Sequence, residues 1–358
     1  MSTDSRASMV AEEPLNPDAR QKPRGPIGKA IGVRVIGTGS YVPQQVVTNE
    51  DLVALGCDSD WIVRRTGIRQ RRKAAEDEAT SDLAFEAASA AMLDAGVTAD
   101  QIDLIIVATM TPDFPTPSVA CELQRRLGAV APAMDINAAC AGFMYASITA
   151  AQFILAGNSR CALVVGADLM SRTVDPEDKK TYPLFGDAAG AAILVADDAG
   201  DPENPAGMIA YQLGSEGCGG EMLCIPGGGS RQPLTPAAHA AGDQFLRMDG
   251  RAVFKWAVRV FEESTQEVLA QAGLGIDQVD MILLHQANQR IIDSAVSDLH
   301  VPVERVFVNL DRYGNTSAAS IPLALDEAIR GGQIRPGDLV LLCGFGAGLA
   351  WGTALWRW

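Results

Sequence analysis

Ala133-Met134-Asp135-Ile136-Asn137-Ala138-Ala139-Cys140-Ala141-Gly142-Phe143-Met144-Tyr145-Ala146 passes from a strand-like segment, Ala133–Asn137, through small residues holding one cysteine, into an apolar-periodic stretch, Phe143–Ala156. That order predicts a strand, a tight turn and a helix, with Cys140 at the helix N-terminus. Unpaired backbone N–H groups leave a partial positive charge there, so thiolate is expected to be favoured over thiol and the sulfur to be nucleophilic. Covalent catalysis is the chemistry this placement suggests.

The same alternation extends in both directions. Val33–Ile36, Leu104–Ala108, Ala162–Val165, Ala191–Val195, Met281–Leu284, Val306–Val308, Leu339–Leu342 and Thr353–Trp356 are short apolar runs, the pattern of strands buried on both faces of a sheet. Ser81–Ala95, Ser118–Leu127, Phe143–Ala156 and Ala252–Ala272 read as helices, each followed by glycine at the C-terminal stop. Val253, Trp256, Ala257, Val260 and Phe261 form one apolar stripe on the last of these. The chain is therefore α/β.

Its two halves have the spacing of a diverged repeat. Thr109 precedes Cys140 by 31 positions and His285 precedes Asn315 by 30; Cys140 to Val164 is 24 and Asn315 to Val340 is 25. A duplicated unit is expected to bring Cys140 and Asn315 to equivalent places beside a pseudo-twofold axis. The expected organisation is a disordered extension over residues 1–31, a first half over 32–200, a Gly- and Pro-rich linker and long loop over 201–249, and a second half over 250–358.

Composition bounds the partners. The 358 residues are 47% apolar, enough for a large core, and the net charge of −15 argues against broad nucleic-acid or anionic-membrane binding. Seven scattered cysteines without a CxxC pair suggest neither a disulfide framework nor a metal site, and fit a reducing cytoplasm. Residues 1–30 lack an apolar h-region, and no later run is long enough to span a bilayer. One basic run stands out, Arg64–Lys73, with six cationic residues in ten. A solvated face is its ordinary reading; Trp61 beside it adds a ring that stacks on adenine while guanidinium groups hold phosphates.

His285 ends a buried strand in Leu284-His285-Gln286-Ala287-Asn288, whereas His239 and His300 lie in loop-like settings. Asn315, in Gly314-Asn315-Thr316-Ser317, suits a helix N-cap when taken alone. Together an amide N–H and a neutral imidazole N–H can hold a thioester carbonyl oxygen as it becomes an enolate. Cys, His and Asn thus fit acyl transfer followed by carbanion formation, and equally thioester or peptide hydrolysis. Gly344-Phe345-Gly346-Ala347-Gly348 has the wrong spacing, and too little chain after it, for a dinucleotide fold. Pro226-Gly227-Gly228-Gly229-Ser230 lacks the lysine of a phosphate loop.

The segments Asp135–Phe143, His285–Ile291 and Gly314–Ser320 closely resemble β-ketoacyl-acyl-carrier-protein synthase III of the thiolase-like fold. So do Ile36–Tyr41, Trp61–Arg69, Phe185–Gly190 and the closing Gly344–Gly352 loop, and the resemblance spans Val33–Trp358. It implies a five-layer αβαβα fold of two duplicated halves, a homodimer, and Cys140, His285 and Asn315 as the catalytic set. It implies ping-pong chemistry without a bound cofactor: acyl-CoA acylates Cys140, and malonyl-acyl-carrier protein then condenses with loss of CO2. Backbone N–H groups of Cys140 and Ala347 are the implied oxyanion donors. Trp61, Arg65, Arg172, Gly250, Phe254 and Asn288 are implied for CoA, and Gln286, Ala287, Asn288, Gln289 and Arg290 for the carrier protein.

Two positions depart from the family pattern. Ser297 and Asp298 stand where relatives that dock an acidic carrier often have basic residues, and Thr116 stands where short-primer members place a bulky Phe that closes the acyl tunnel. The leading expectation is the initiating condensing enzyme of fatty acid synthesis. A second is an acyltransferase of a secondary pathway with another acceptor, and a third a non-catalytic protein that binds CoA or nucleic acid through Arg64–Lys73.

Overall fold

The computed structural model describes residues 27–29, 32–56, 58–197 and 206–358. Most of the expected extension, Cys57 and the first residues of the expected linker lie outside the described residues.

In chain order the strands are β1 (Ile27–Gly28), β2 (Val33–Tyr41), β3 (Gln45–Thr48), β4 (Gln70–Lys73), β5 (Leu104–Ala108), β6 (Ala133–Ile136), β7 (Cys161–Leu169), β8 (Asp187–Ala196), β9 (Gly207–Ser215), β10 (Leu223–Cys224), β11 (Arg247–Met248), β12 (Met281–Leu284), β13 (Leu339–Gly346) and β14 (Ala350–Arg357). The α-helices are α1 (Ser59–Thr66), α2 (Thr80–Ala95), α3 (Val119–Leu127), α4 (Gly142–Leu155), α5 (Pro236–Ala240), α6 (Gly250–Ala272), α7 (Gln289–Asp298), α8 (Leu310–Tyr313) and α9 (Ser320–Arg330). The glycines expected to stop α2, α3, α4 and α6, namely Gly96, Gly128, Gly157 and Gly273, all have positive φ.

Two five-stranded sheets run in the orders β2-β8-β7-β5-β6 and β1-β9-β14-β13-β12. Their registers match: β5 pairs with β7 in parallel with Leu104 opposite Ala162, and β12 pairs with β13 in parallel with Met281 opposite Val340. Side chains alternate across each sheet because a strand has period two. Leu104 and Ile106 face one way and Ile105 and Val107 the other; Leu283 and Ile282 divide likewise.

Those alternating faces build five layers. Leu83 and Ala87 of α2 and Leu123 of α3 cover the outer face of the first sheet, against Ile105 and Val107. Between the sheets lie α4 and α9, with Phe143 and Ile148 beside Ile321 and Leu325, touching Ile106 on one side and Leu283 and Leu342 on the other. On the far face, Trp256, Val260 and Phe261 of α6 pack with Ile291 and Ile292 of α7 against Ile282 and Leu341. The layer order is αβαβα.

Three expectations change. The segment placed in a linker, residues 201–249, contributes β9 to the second sheet, eight residues paired along β14, and also the short β10–β11 ribbon and α5. The second half thus starts at β9, whose alternating burial is obscured by glycines at both ends. The extension expected to be disordered to residue 31 includes β1, which pairs with the outer edge of β9. Val306–Val308, expected as a strand, is one parallel bridge from Val306 to Ile282 and otherwise extended chain.

The repeat is real but offset from the spacing argument. One-turn 3-10 helices, Ala139–Ala141 and Ser317–Ala319, precede α4 and α9, and each opens on a left-handed residue, Ala139 at φ 45° and Ser317 at φ 50°. Asn137 Oδ1 accepts from the Ala139 N–H as Asn315 Oδ1 accepts from the Ser317 N–H. Cys140 is therefore the counterpart of Ala318, and Asn315 of Asn137. Counting from strand ends missed this because the loops before the two turns differ in length.

Candidate active site

The 3-10 turn holds Cys140 at the start of α4 and almost buried, 8% exposed. β13 passes so close that a β-carbon on Gly346 would stand 2.7 Å from the Cys140 Cβ and 3.2 Å from its Sγ. Glycine is what lets that strand approach the sulfur. Burial pushes the thiol pKa up from 9.0 to about 12, the Asp168 charge adding to it while the Ser317 hydroxyl and the cysteine's own backbone oppose it. The resting group is the thiol, contrary to the thiolate expected from the helix N-terminus.

His285 follows β12, its N–H donating to the Cys343 carbonyl at 2.8 Å. The ring stands edge-on to Phe345, centroids 5.5 Å apart, and Nδ1 is buried without a partner. Burial lowers its pKa from 6.5 to about 3, so the imidazole is neutral. Asn315 is clamped at both backbone groups: its N–H donates to the Leu184 carbonyl at 2.8 Å and its carbonyl accepts from the Gly186 N–H at 3.0 Å. With Oδ1 held by the Ser317 N–H at 2.9 Å, the amide NH2 is the group left for a ligand.

Cys140, His285, Asn315 and Ala347 line one cavity of about 470 Å³, together with Arg65, Gly250, Phe254, Ala287, Asn288 and Arg290. Much of its wall is apolar: Met110, Met170, Phe185, Leu223, Leu246 and Met248. Leu223 and Met248 come from the β10–β11 ribbon, inside the stretch read from sequence as a linker. Asn288 Oδ1 accepts from the Arg290 N–H at 2.9 Å and so caps α7 at the cavity wall. The Arg290 guanidinium lies 5.9 Å from the Phe254 ring centre, and that of Arg65 5.0 Å from the Trp61 ring. A neutral thiol, a neutral imidazole, a free amide and an apolar channel can accept an acyl group and polarise a second thioester. Among the described residues no group of three His, Cys, Asp or Glu is placed to hold a metal ion, and no helix is long and apolar enough to cross a membrane.

Other expected residues lie elsewhere. Gln286 is 1% exposed and beyond the reach of a docking protein; its amide donates to the Leu284 and Phe307 carbonyls and accepts from the Asn309 N–H, tying β12 to the chain before α8. Arg172 lies outside the cavity, its guanidinium donating to the carbonyls of Ala75 and Glu78. Thr116 is exposed and lines a separate cleft with Phe114 and Asn137. Gln289 holds Asp293 on its own helix. The basic run is not one patch: Arg71 turns inward, 4% exposed, onto the Val47 and Pro183 carbonyls and Asn49 Oδ1. Ser317 and Asp168 are neighbours of Cys140 that sequence reasoning missed, since only the packing of the two turns brings them there.

A duplicated αβαβα fold with Cys, His and Asn facing one apolar cavity defines the thiolase-like condensing enzymes. Models of the 3-oxoacyl-[acyl-carrier-protein] synthase III family match residues 134–217 and, for its C-terminal part, 269–358. A β-ketoacyl-[acyl-carrier-protein] synthase III of Rhodopirellula baltica is 67% identical over 345 residues, covering 93% of this chain and all of the relative; that of Symbiobacterium thermophilum is 51% identical, covering 91% and 98%. The crystal structure of the Aquifex aeolicus 3-oxoacyl-[acyl-carrier-protein] synthase III superposes with a TM-score of 0.82 at 41% identity, covering 91% of this chain and all of that one. The chain belongs to the β-ketoacyl-[acyl-carrier-protein] synthase III family, the condensing acyltransferases that initiate fatty acid synthesis.

Proposed function

We propose that Cys140 carries the acyl group, that His285 and Asn315 act on the incoming malonyl thioester, and that acyl-CoA and malonyl-acyl-carrier protein are the two substrates. The observation behind this reading is the convergence of these three side chains from both halves on one cavity. In the first half-reaction the sulfur attacks the acyl-CoA carbonyl. The new S–C bond replaces the bond to CoA, which leaves as the thiol with the proton Cys140 gives up.

In the second, the malonyl carboxylate leaves as CO2 and its electron pair moves into the thioester, forming an enolate. The neutral imidazole of His285 and the free amide of Asn315 hold that oxygen. Neutrality suits this role, because a buried imidazolium would have no counter-charge beside it. The enolate carbon attacks the acyl-Cys140 carbonyl, whose oxygen is held by the backbone N–H groups of Cys140 and Ala347. Collapse expels the sulfur, which takes up one proton from solvent to return to the thiol, and frees β-ketoacyl-carrier protein.

Arg65, Gly250, Phe254 and Asn288 line the route for CoA and the pantetheine arm, with Trp61 behind Arg65. Ala287, Gln289 and exposed Arg290 form the carrier-docking surface. We place the protein in a reducing cytoplasm, which suits the six described cysteines, all free thiols. We also take it as a homodimer through the face bearing Phe114, 55% exposed, and Thr116; light scattering should return twice the chain mass, and a monomer at assay concentration counts against that face as an interface.

The roles separate in two assays. Cys140→Ala should abolish the acyl adduct seen by intact mass after incubation with acyl-CoA. Asn315→Ala should keep the adduct and cut condensation with malonyl-carrier protein by at least about 100-fold, the scale of one lost oxyanion donor. Normal product from the Asn315 variant would remove it from the mechanism.

A further inference from the structure

The turn that carries Ser317 joins the two halves at the site. Its N–H orients Asn315, and the following N–H, of Ala318, donates to Asp168 Oδ2 at 3.0 Å. The Ser317 side chain behaves differently. It is fully buried, yet its hydroxyl makes no hydrogen bond of ordinary geometry. Its turn packs on the Ala139–Ala141 turn that carries Cys140 and is bonded to Asp168 through the next N–H, which puts the hydroxyl near both the Cys140 sulfur and the Asp168 carboxylate, where it favours the charged form of each against burial. A buried hydroxyl left unpaired costs about 1–3 kcal/mol.

The repeat supplies an internal comparison. Ala139 occupies the equivalent left-handed position in the first half and has no hydroxyl, while Ala318 is the counterpart of Cys140. Likewise Gly346 is the counterpart of Asp168, each six positions beyond the paired residues Ala162 and Val340. The turn that holds the cysteine thus has only Ala139 and Gly346 at these positions, and the polar pair Ser317 and Asp168 belongs to the turn on the other side of the pseudo-axis. Asp168 does not depend on Ser317: Oδ1 accepts from Thr109 Oγ1, Met110 N–H and Thr111 Oγ1, and Oδ2 from Ala318 N–H. These four donors leave it with no need of the serine hydroxyl.

We propose that the Ser317 hydroxyl, unpaired at rest, is a hydrogen-bond donor reserved for the Cys140 sulfur as negative charge develops on it, with the Asp168 carboxylate as its competing acceptor. No covalent bond changes in this step; the unpaired O–H turns onto the sulfur. Ser317 therefore tunes the reactivity of the nucleophile. The proposal rests on the reading of Cys140 as the acyl-carrying residue. The other titratable or charged groups at the cavity are His285, neutral across from the sulfur, and Arg65, Arg251 and Arg290, all exposed.

The test is alkylation of Cys140 by iodoacetamide, followed by intact mass as a function of pH, in the wild type, Ser317→Ala and Asp168→Asn. Ser317→Ala keeps the backbone N–H that orients Asn315, and Ala139 shows that alanine holds this turn conformation. It should alkylate roughly tenfold more slowly at each pH, the scale of one hydrogen bond to a charged group. Asp168→Asn removes a competing acceptor and a like charge, and should alkylate faster, roughly threefold or more. Loosened packing would move both variants in the same direction. An unchanged or faster Ser317→Ala overturns the proposal, as does a slower Asp168→Asn with an unchanged melting temperature. Acylation of the wild type by acyl-CoA is scored separately: an absent Cys140 adduct there sinks the functional reading and leaves the alkylation result standing.

Discussion

His285 shows how burial of a single group ties its protonation state to acid stability. In the unfolded chain it titrates near 6.5, whereas burial lowers the folded value to about 3. Between those values the unfolded state binds more protons, so stability is full above about pH 6.5 and falls as pH drops toward 3. His285→Gln removes that linkage. Its acid-unfolding midpoint, followed by circular dichroism, should move to lower pH than in the wild type; an unmoved midpoint would mean the ring is not held neutral. At Cys140 the same force overrides the helix end. A rise from 9.0 to about 12 corresponds to roughly 4 kcal/mol, against about 0.3–1 kcal/mol from a helix terminus. The sequence placed the sulfur at a helix start, but desolvation depends on what packs over it, here Gly346 of the other half.

At the scale of elements, legibility followed burial on both faces. β5 and β12 were readable to the residue because each is a continuous apolar run, and α2, α3 and α6 because each stops at a glycine, α6 carrying an apolar stripe as well. β9 was not, since its Gly207–Ser215 run mixes Tyr and Gln with glycines, and its pairing to β14 is set by sheet geometry. The β10–β11 ribbon has two residues per strand and leaves no periodic trace, yet it walls the cavity. The three residues that meet in the cavity and to which we assign the chemistry could be picked out because each sits in an unusual local string. Gln286 was misplaced for the converse reason: it adjoins His285 in sequence, but it is buried, its side chain serving Asn309 and two carbonyls.

In the whole molecule the site exists only because the halves interpenetrate, and glycines permit it. From the second sheet, Gly344 and Gly352 admit Met144 of α4, and Gly346 admits Cys140. From the first, Gly166 of β7 admits the Ala318 carbonyl, and Gly190 of β8 admits the backbone N–H of Leu323, which would lie 2.6 Å from an added β-carbon. At Gly166 and Gly190 the approach is between backbones, so a methyl group there cannot be absorbed by rotating a side chain. Gly166→Ala is the sharpest probe, because the methyl would overlap the turn whose N–H groups hold Asn315 and Asp168. The turn must then lift from β7, which should cost about 1–3 kcal/mol in urea unfolding. Cys140 sits on the first half, in the 3-10 turn before α4. Acylation by acyl-CoA should therefore fall less than condensation with malonyl-carrier protein, which in the proposed mechanism needs Asn315 in register with the sulfur. A Gly166→Ala protein with wild-type stability and an unaltered ratio of the two steps would show that the halves adjust around each other, and that Asn315 is placed by its own half alone.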